Sequence, residues 1–63
     1  GDIDADFCRE MIPHHMGAIR MSQNALMFNL CPKLPPLLNS IIDERTEGVR
    51  QMQAFLKSDP SCR

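Results

Sequence analysis

At 63 residues the chain has material for one small domain, and a domain that short relies on a disulfide, a bound metal ion or a second copy to supplement its core. Seven Lys and Arg against eight Asp and Glu give a formal net charge of −1 with no basic block, so nucleic acid and anionic membrane surfaces have no electrostatic footprint here. The apolar runs are too short for membrane insertion, and the acidic opening, Gly-Asp-Ile-Asp-Ala-Asp-Phe, is unlike a secretory signal, which the sequence is expected to lack.

From about Asp4 to Leu30 the composition favours helix and the apolar residues keep a helical period. Phe7, Met11, His14, Ala18, Met21, Ala25 and Phe28 follow one another by four and three residues and draw one stripe. Cys8, Ile12, His15, Ile19 and Leu26 draw a second, about 100° further round. Asp2, Asp4 and Asp6 lie where carboxylates suit a helix start, with Asp4 the expected N-cap. Pro13 has no N–H for the carbonyl of Arg9, which predicts a bend or bulge beside the histidines; the apolar period stays in phase across it, so the helix should continue.

Cys31-Pro32-Lys33-Leu34-Pro35-Pro36 is the one clear break. Beyond it Leu38, Ile42, Arg45, Val49, Met52 and Leu56 resume the period, flanked by Leu37, Ile41 and Phe55, and Ser58-Asp59-Pro60 closes it. The expected fold is therefore all-α: one domain over 1–63, with helix one over about 4–30, a proline-rich turn at 31–36 and helix two over about 36–57. Helices joined so closely fold back antiparallel, with facing residue numbers summing to about 65, so that Met52 meets the Met11–His14 turn. A single partner helix cannot cover two stripes. Pairing of two hairpins into a four-helix bundle, a homodimer with Ile19 near its centre, would do so.

Five methionines with no Trp or Tyr make this a methionine-rich chain, and Met11, His14, His15, Met21 and Met52 are the candidate metal ligands. Thioether sulfur and imidazole nitrogen form a soft donor set suited to Cu(I) and poorly suited to Mg²⁺ or Ca²⁺. A methionine at helical spacing is more often core filling, and a lone histidine on an apolar face is more often a packed residue. Two adjacent histidines one turn after Met11 and beside Pro13 bring ligation level with that reading. Met16 and Met27 project among Arg9, Arg20 and Gln23 and are read as exposed or as contacts to a neighbour.

Cys8 and Cys31 stand about 34 Å apart along a helix that rises about 1.5 Å per residue, far beyond disulfide reach. Cys31 and Cys62 fail in the same way. Cys8–Cys62 is the remaining intrachain pairing and would imply an oxidising compartment. The Glu-x-x-His repeats of a di-iron bundle and the paired-ligand spacings of a zinc site are missing, as are a nucleophile elbow and a glycine-rich phosphate loop, so an enzyme is not expected.

The run Asp6-Phe7-Cys8-Arg9-Glu10-Met11-Ile12-Pro13-His14-His15-Met16-Gly17-Ala18-Ile19-Arg20-Met21, with Met52-Gln53-Ala54-Phe55-Leu56, resembles the domain-of-unknown-function 305 family. Its signature reads D-F-x-x-x-M-I-P-H-H-x-G-A-I-x-M, with a later M-x-x-W-L. The resemblance implies a secreted or periplasmic ferritin-like helical protein, in some members associated with copper binding and tolerance, and it marks the same five ligands. Arg45 and Gly48 stand where the family often has Gln and Glu, and Phe55 where it has Trp. The expected function is a copper-binding module for storage, transfer or tolerance, with no particular delivery partner indicated; the alternative is a structural hairpin whose Met/His patch is only a dimer core.

Overall fold

Two long helices account for most of the chain in a computed structural model that describes residues 2–58, with side-chain surroundings for 3–57. Helix α1 spans Asp2–Ala25 and helix α2 spans Leu34–Ser58, packed against each other as the expected antiparallel hairpin. Among the described residues no helix is long and apolar enough to cross a membrane.

The helix bounds differ from the expected ones at three places. Helix α1 already includes Asp2, so Asp4 lies inside the first turn and is not the N-cap; its carboxylate still stands at the positive end of the helix dipole. The helical assignment runs through Pro13 without interruption. At the other end α1 stops at Ala25, five residues short of the expected Leu30. The Leu26 N–H donates to the Ser22 carbonyl at 3.1 Å, and then the Met27 and Phe28 N–H groups donate only three residues back, to Asn24 and Ala25, each at 3.1 Å. This tightening ends the helix with no left-handed residue, since no described residue has positive φ.

Helix α2 begins two residues early, at Leu34, whose N–H donates to the Cys31 carbonyl at 2.9 Å. Pro35 and Pro36 then occupy the first turn, where a missing N–H has no intrahelical acceptor to disappoint.

Small side chains face large ones across the seam. Ala5 and Cys8 are 2% and 7% exposed, and Cys8 lines a cleft with Met52 and Phe55. Ser22, 5% exposed, lies opposite Leu38 and Ile41. His15 fills the space above Gly48, with its ring Cδ2 and Nε2 only 3.0 and 3.2 Å from where a side-chain Cβ on Gly48 would stand. These pairs set the register: facing residue numbers sum to about 63, two residues away from the expected 65. Alternation of large and small lets two helices approach closely without voids.

The same seam decides which stripe of α1 faces α2. Ala5, Cys8, His15 and Ser22 lie toward the partner helix in phase with the half-buried Ile12, Ile19 and Leu26, so the stripe through Cys8 and His15 is the inner one. Of the stripe expected to face α2, Phe7 and Met21 are 60% and 74% exposed and His14 and Phe28 are exposed as well, while Met11, Ala18 and Ala25 stay half-buried at the edge of the seam. Ile19 therefore belongs to the seam and not to the middle of an outer face. The bulk of Phe7, Met21 and Phe28 would hold the helices apart, whereas Ala5, Cys8 and Ser22 allow contact.

The hairpin is a rod, 46 × 14 × 13 Å, with a radius of gyration of 14.4 Å. A compact globule of this length would have a radius of gyration of about 11 Å. The candidate ligands are thus spread along an axis, and register decides which of them meet.

Candidate metal centre

Helix phase and the antiparallel register divide the five candidate ligands into two groups. Met11 and His15 lie one turn apart on α1, both half-buried along the seam. Gly48 and Met52 lie one turn apart on α2, also half-buried. With His15 against Gly48, the register places Met52 at the level of Met11. Met11, His15 and Met52 therefore occupy three corners of one patch, and Gly48 supplies the fourth with no side chain.

His14 and Met21 do not join this patch. His14 is exposed on the outward stripe, about 100° from His15. Met21 stands further along the rod, beside a groove it shares with Ala18, Ser22, Ala25, Leu38, Ile41 and Arg45. The half-buried Arg45 carries its stem along this groove and brings a permanent positive charge to that end of the molecule, which disfavours a second cation there. Met16 and Met27 are exposed, in keeping with their place outside the stripes.

The two-residue change in register has a chemical consequence at Met52. It sets Met52 at the Met11 end of the expected Met11–His14 turn, where the side chain lines a cleft of about 220 Å³ with Cys8, Gln51 and Phe55. Cys8 and Cys31 are free thiols, one buried in the seam and one exposed near the turn, while Cys62 lies outside the described residues. The sequence reading weighed Cys8 only as a disulfide half. Its phase, three residues before Met11 and seven before His15, was the signal that places it on the same strip.

Acidic groups play no part in the patch. Among the described residues no three His, Cys, Asp or Glu side chains gather as a metal-binding group would require, so donors for a hard cation or a zinc-type site are not assembled. Glu47, next to Gly48, faces away and accepts hydrogen bonds from Arg50, at 2.9 Å from its Nε, and from Gln51 at 3.3 Å. Its hydrogen bonds from Arg50 hold the Glu47 carboxyl below the ordinary range. Asp6 is engaged by Arg9 at 3.2 Å on the exposed side of α1. What the seam offers a metal is sulfur and imidazole.

The model of a protein family described as "Domain of unknown function (DUF305)" matches residues 1–56. The chain belongs to that family. The match includes both helices and every candidate ligand, and within it this DUF305 chain carries Gly48 where His15 needs space. Comparison with curated proteins and with solved structures gives no match.

Proposed function

We propose that the hairpin is a binding module for a soft monovalent metal ion, Cu(I), serving copper storage, transfer or tolerance outside the cytoplasm. The observation that supports this most is the placing of Met52 at the level of Met11 with His15 one turn away, because it draws soft donors from both helices to one stretch of seam. Thioether and imidazole retain Cu(I) while offering little to Mg²⁺ or Ca²⁺. Met11, Met52 and His15 would hold the ion, and the ion would join the two helices near the open end of the hairpin. In this reading the module binds the ion and does not catalyse.

His14 and Met21 take a different part in this reading. They stand with Phe7 and Phe28 on the outward stripe, whose exposed apolar surface supports pairing of two hairpins into a four-helix bundle. The homodimer axis would then pass beside that stripe and not beside Ile19. A structural hairpin with no metal at all is the competing reading, and the exposed stripe supports it equally.

Anaerobic titration of Cu(I) against a competing chelator separates the two. Wild type should take up one ion per chain, and Met11→Leu/Met52→Leu, which keeps side-chain volume within about one methylene's worth of change, should lose that uptake while remaining helical. Equal, weak uptake by both proteins would overturn the metal reading and leave the structural one.

A further inference from the structure

We infer that Cys8, Met11 and Met52 together form the ligand set of one three-coordinate Cu(I), with Cys8 bound as the thiolate. This rests on the metal-binding reading and revises its third ligand, Cys8 taking the place given there to His15, whose ring packs against Gly48; neither the helical stripes nor the family motif assigns Cys8 to a metal.

The first support is position. Cys8 is 7% exposed and lines one cleft with Met52, Gln51 and Phe55. Met11 follows Cys8 by three residues on the same side of α1, and the register sets Met11 opposite Met52. Cys8 and Met52 thus share one cleft, and helix phase and register set Met11 beside it, so the arrangement draws on both helices of the closed hairpin.

Charge is the second and decisive support. A thioether is neutral, so a site made only of methionine and imidazole would leave the full positive charge of Cu(I) in an apolar seam, and an uncompensated buried charge is costly. Of the four residues lining the cleft, Cys8 is the one whose side chain can become an anion. When the Cu–S bond forms the thiol proton leaves to solvent, and the copper and the sulfur keep their oxidation states. The resulting Cu(I)–thiolate unit is neutral and can remain in the seam. The half-buried Phe55 beside Cys8 and Met52 would limit the access of water and oxidants to it.

The test uses reduced full-length protein under anaerobic conditions and compares wild type, Cys8→Ser and Cys8→Ala. Wild type should bind one Cu(I) with a near-ultraviolet thiolate-to-copper band and an X-ray absorption spectrum fitted by sulfur neighbours alone. Loss of an outer-shell partner already weakens a metal site about ten- to hundredfold, so loss of a direct ligand in either variant should weaken binding at least that much and abolish the band. A Cys31→Ser/Cys62→Ser protein provides a readout that spares Cys8: bound Cu(I) should slow its alkylation by iodoacetamide at least about tenfold.

Unchanged affinity and spectrum in the Cys8 variants, or unprotected Cys8, would overturn the ligand assignment while leaving the metal-binding reading in place. A thiol count that finds Cys8 in a disulfide in the isolated protein would also overturn it. Failure of wild type to bind Cu(I) at all would remove both.

Discussion

Helix α1 carries two strips of side chains about a quarter-turn apart, and their fates are opposite. The strip through Ala5, Cys8, His15 and Ser22 is the covered one, its most deeply buried positions being the small Ala5, Cys8 and Ser22, with Ile12, Ile19 and Leu26 half-buried between them. The strip through Phe7, His14, Met21 and Phe28 contains the larger apolar groups and faces outward. In a hairpin this thin, contact depends on how closely two backbones can approach, and bulk works against approach. Where the two helices come closest, small size therefore counts before hydrophobicity. The large residues are left for a partner that has room for them.

The most severe way to break the contact that covers the inner strip is a charge on the facing helix. Val49 is 8% exposed, and Val49→Asp would leave an unpaired carboxylate in the seam at a cost of several kcal/mol. A single core of this size rarely supplies more than about 3–5 kcal/mol, so the variant should lose its helical circular dichroism at 25 °C. Retention of a cooperative melt would show that the seam contributes little.

The outer strip is sharpened by Phe7→Ser/Met21→Ser. Each side chain contributes about 1.5–3 kcal/mol if a second copy buries it fully, and far less if it stays in water. With the dimer, wild-type Tm rises with protein concentration and the variant's does not, and sedimentation shows the variant as the lighter species. A wild-type Tm independent of concentration, matched by the variant within a degree or two, would leave the outer strip without a partner.

Gly48→Ala produces a smaller effect whose sign is informative. Replacing glycine in a helix interior gains about 1 kcal/mol of helix propensity. The added Cβ would meet the His15 ring at 3.0 and 3.2 Å, and overpacking typically costs about 1–3 kcal/mol. The variant should be less stable than wild type by up to about 2 kcal/mol, whereas in a His15→Ala background the same change should stabilise. Chemical denaturation of the four proteins in that cycle measures the coupling directly.

The smallest effect belongs to the surface. Glu47 is held below its ordinary value of 4.5 by Arg50, so the pair's contribution is present above the unfolded carboxylate range and disappears as pH falls through the lowered value. Both groups are exposed, and Glu47→Gln should change the neutral-pH melt only slightly, the difference vanishing in acid. A large drop would place Glu47 in the seam.

Hydrophobic period and proline made the two helices, their antiparallel pairing and the approximate level of Met52 legible in the sequence. The inner face was harder to read. Ala5, Ser22 and Gly48 define it, and none of them registers as a core residue by size or hydropathy. Once those three are overlooked, the large residues attract the seam to the wrong stripe and the register slips by two. With Met52 expected anywhere along the Met11–His14 turn, nothing in the spacing singles out the Cys8 thiol one turn nearer the end. The expected helix one runs too far for a related reason, because Leu26 to Leu30 keep the apolar period even though the chain there has already left the helix.

The rod shape implies an order of assembly. In an antiparallel pair the stretch of chain closed by each contact lengthens steadily away from the turn, from Ser22 facing Ile41 to Cys8 facing Met52 and Phe55. The entropy of closing a loop grows only slowly with its length, but rungs near the turn still form at lower cost and earlier, and the hairpin should close like a zipper toward its termini. Cys8, Met11 and Met52 are then among the last contacts made and the first to fray. A ligand held there would act as a clasp, and its release would need only the final rungs to open, with the turn and the Ser22 end left intact.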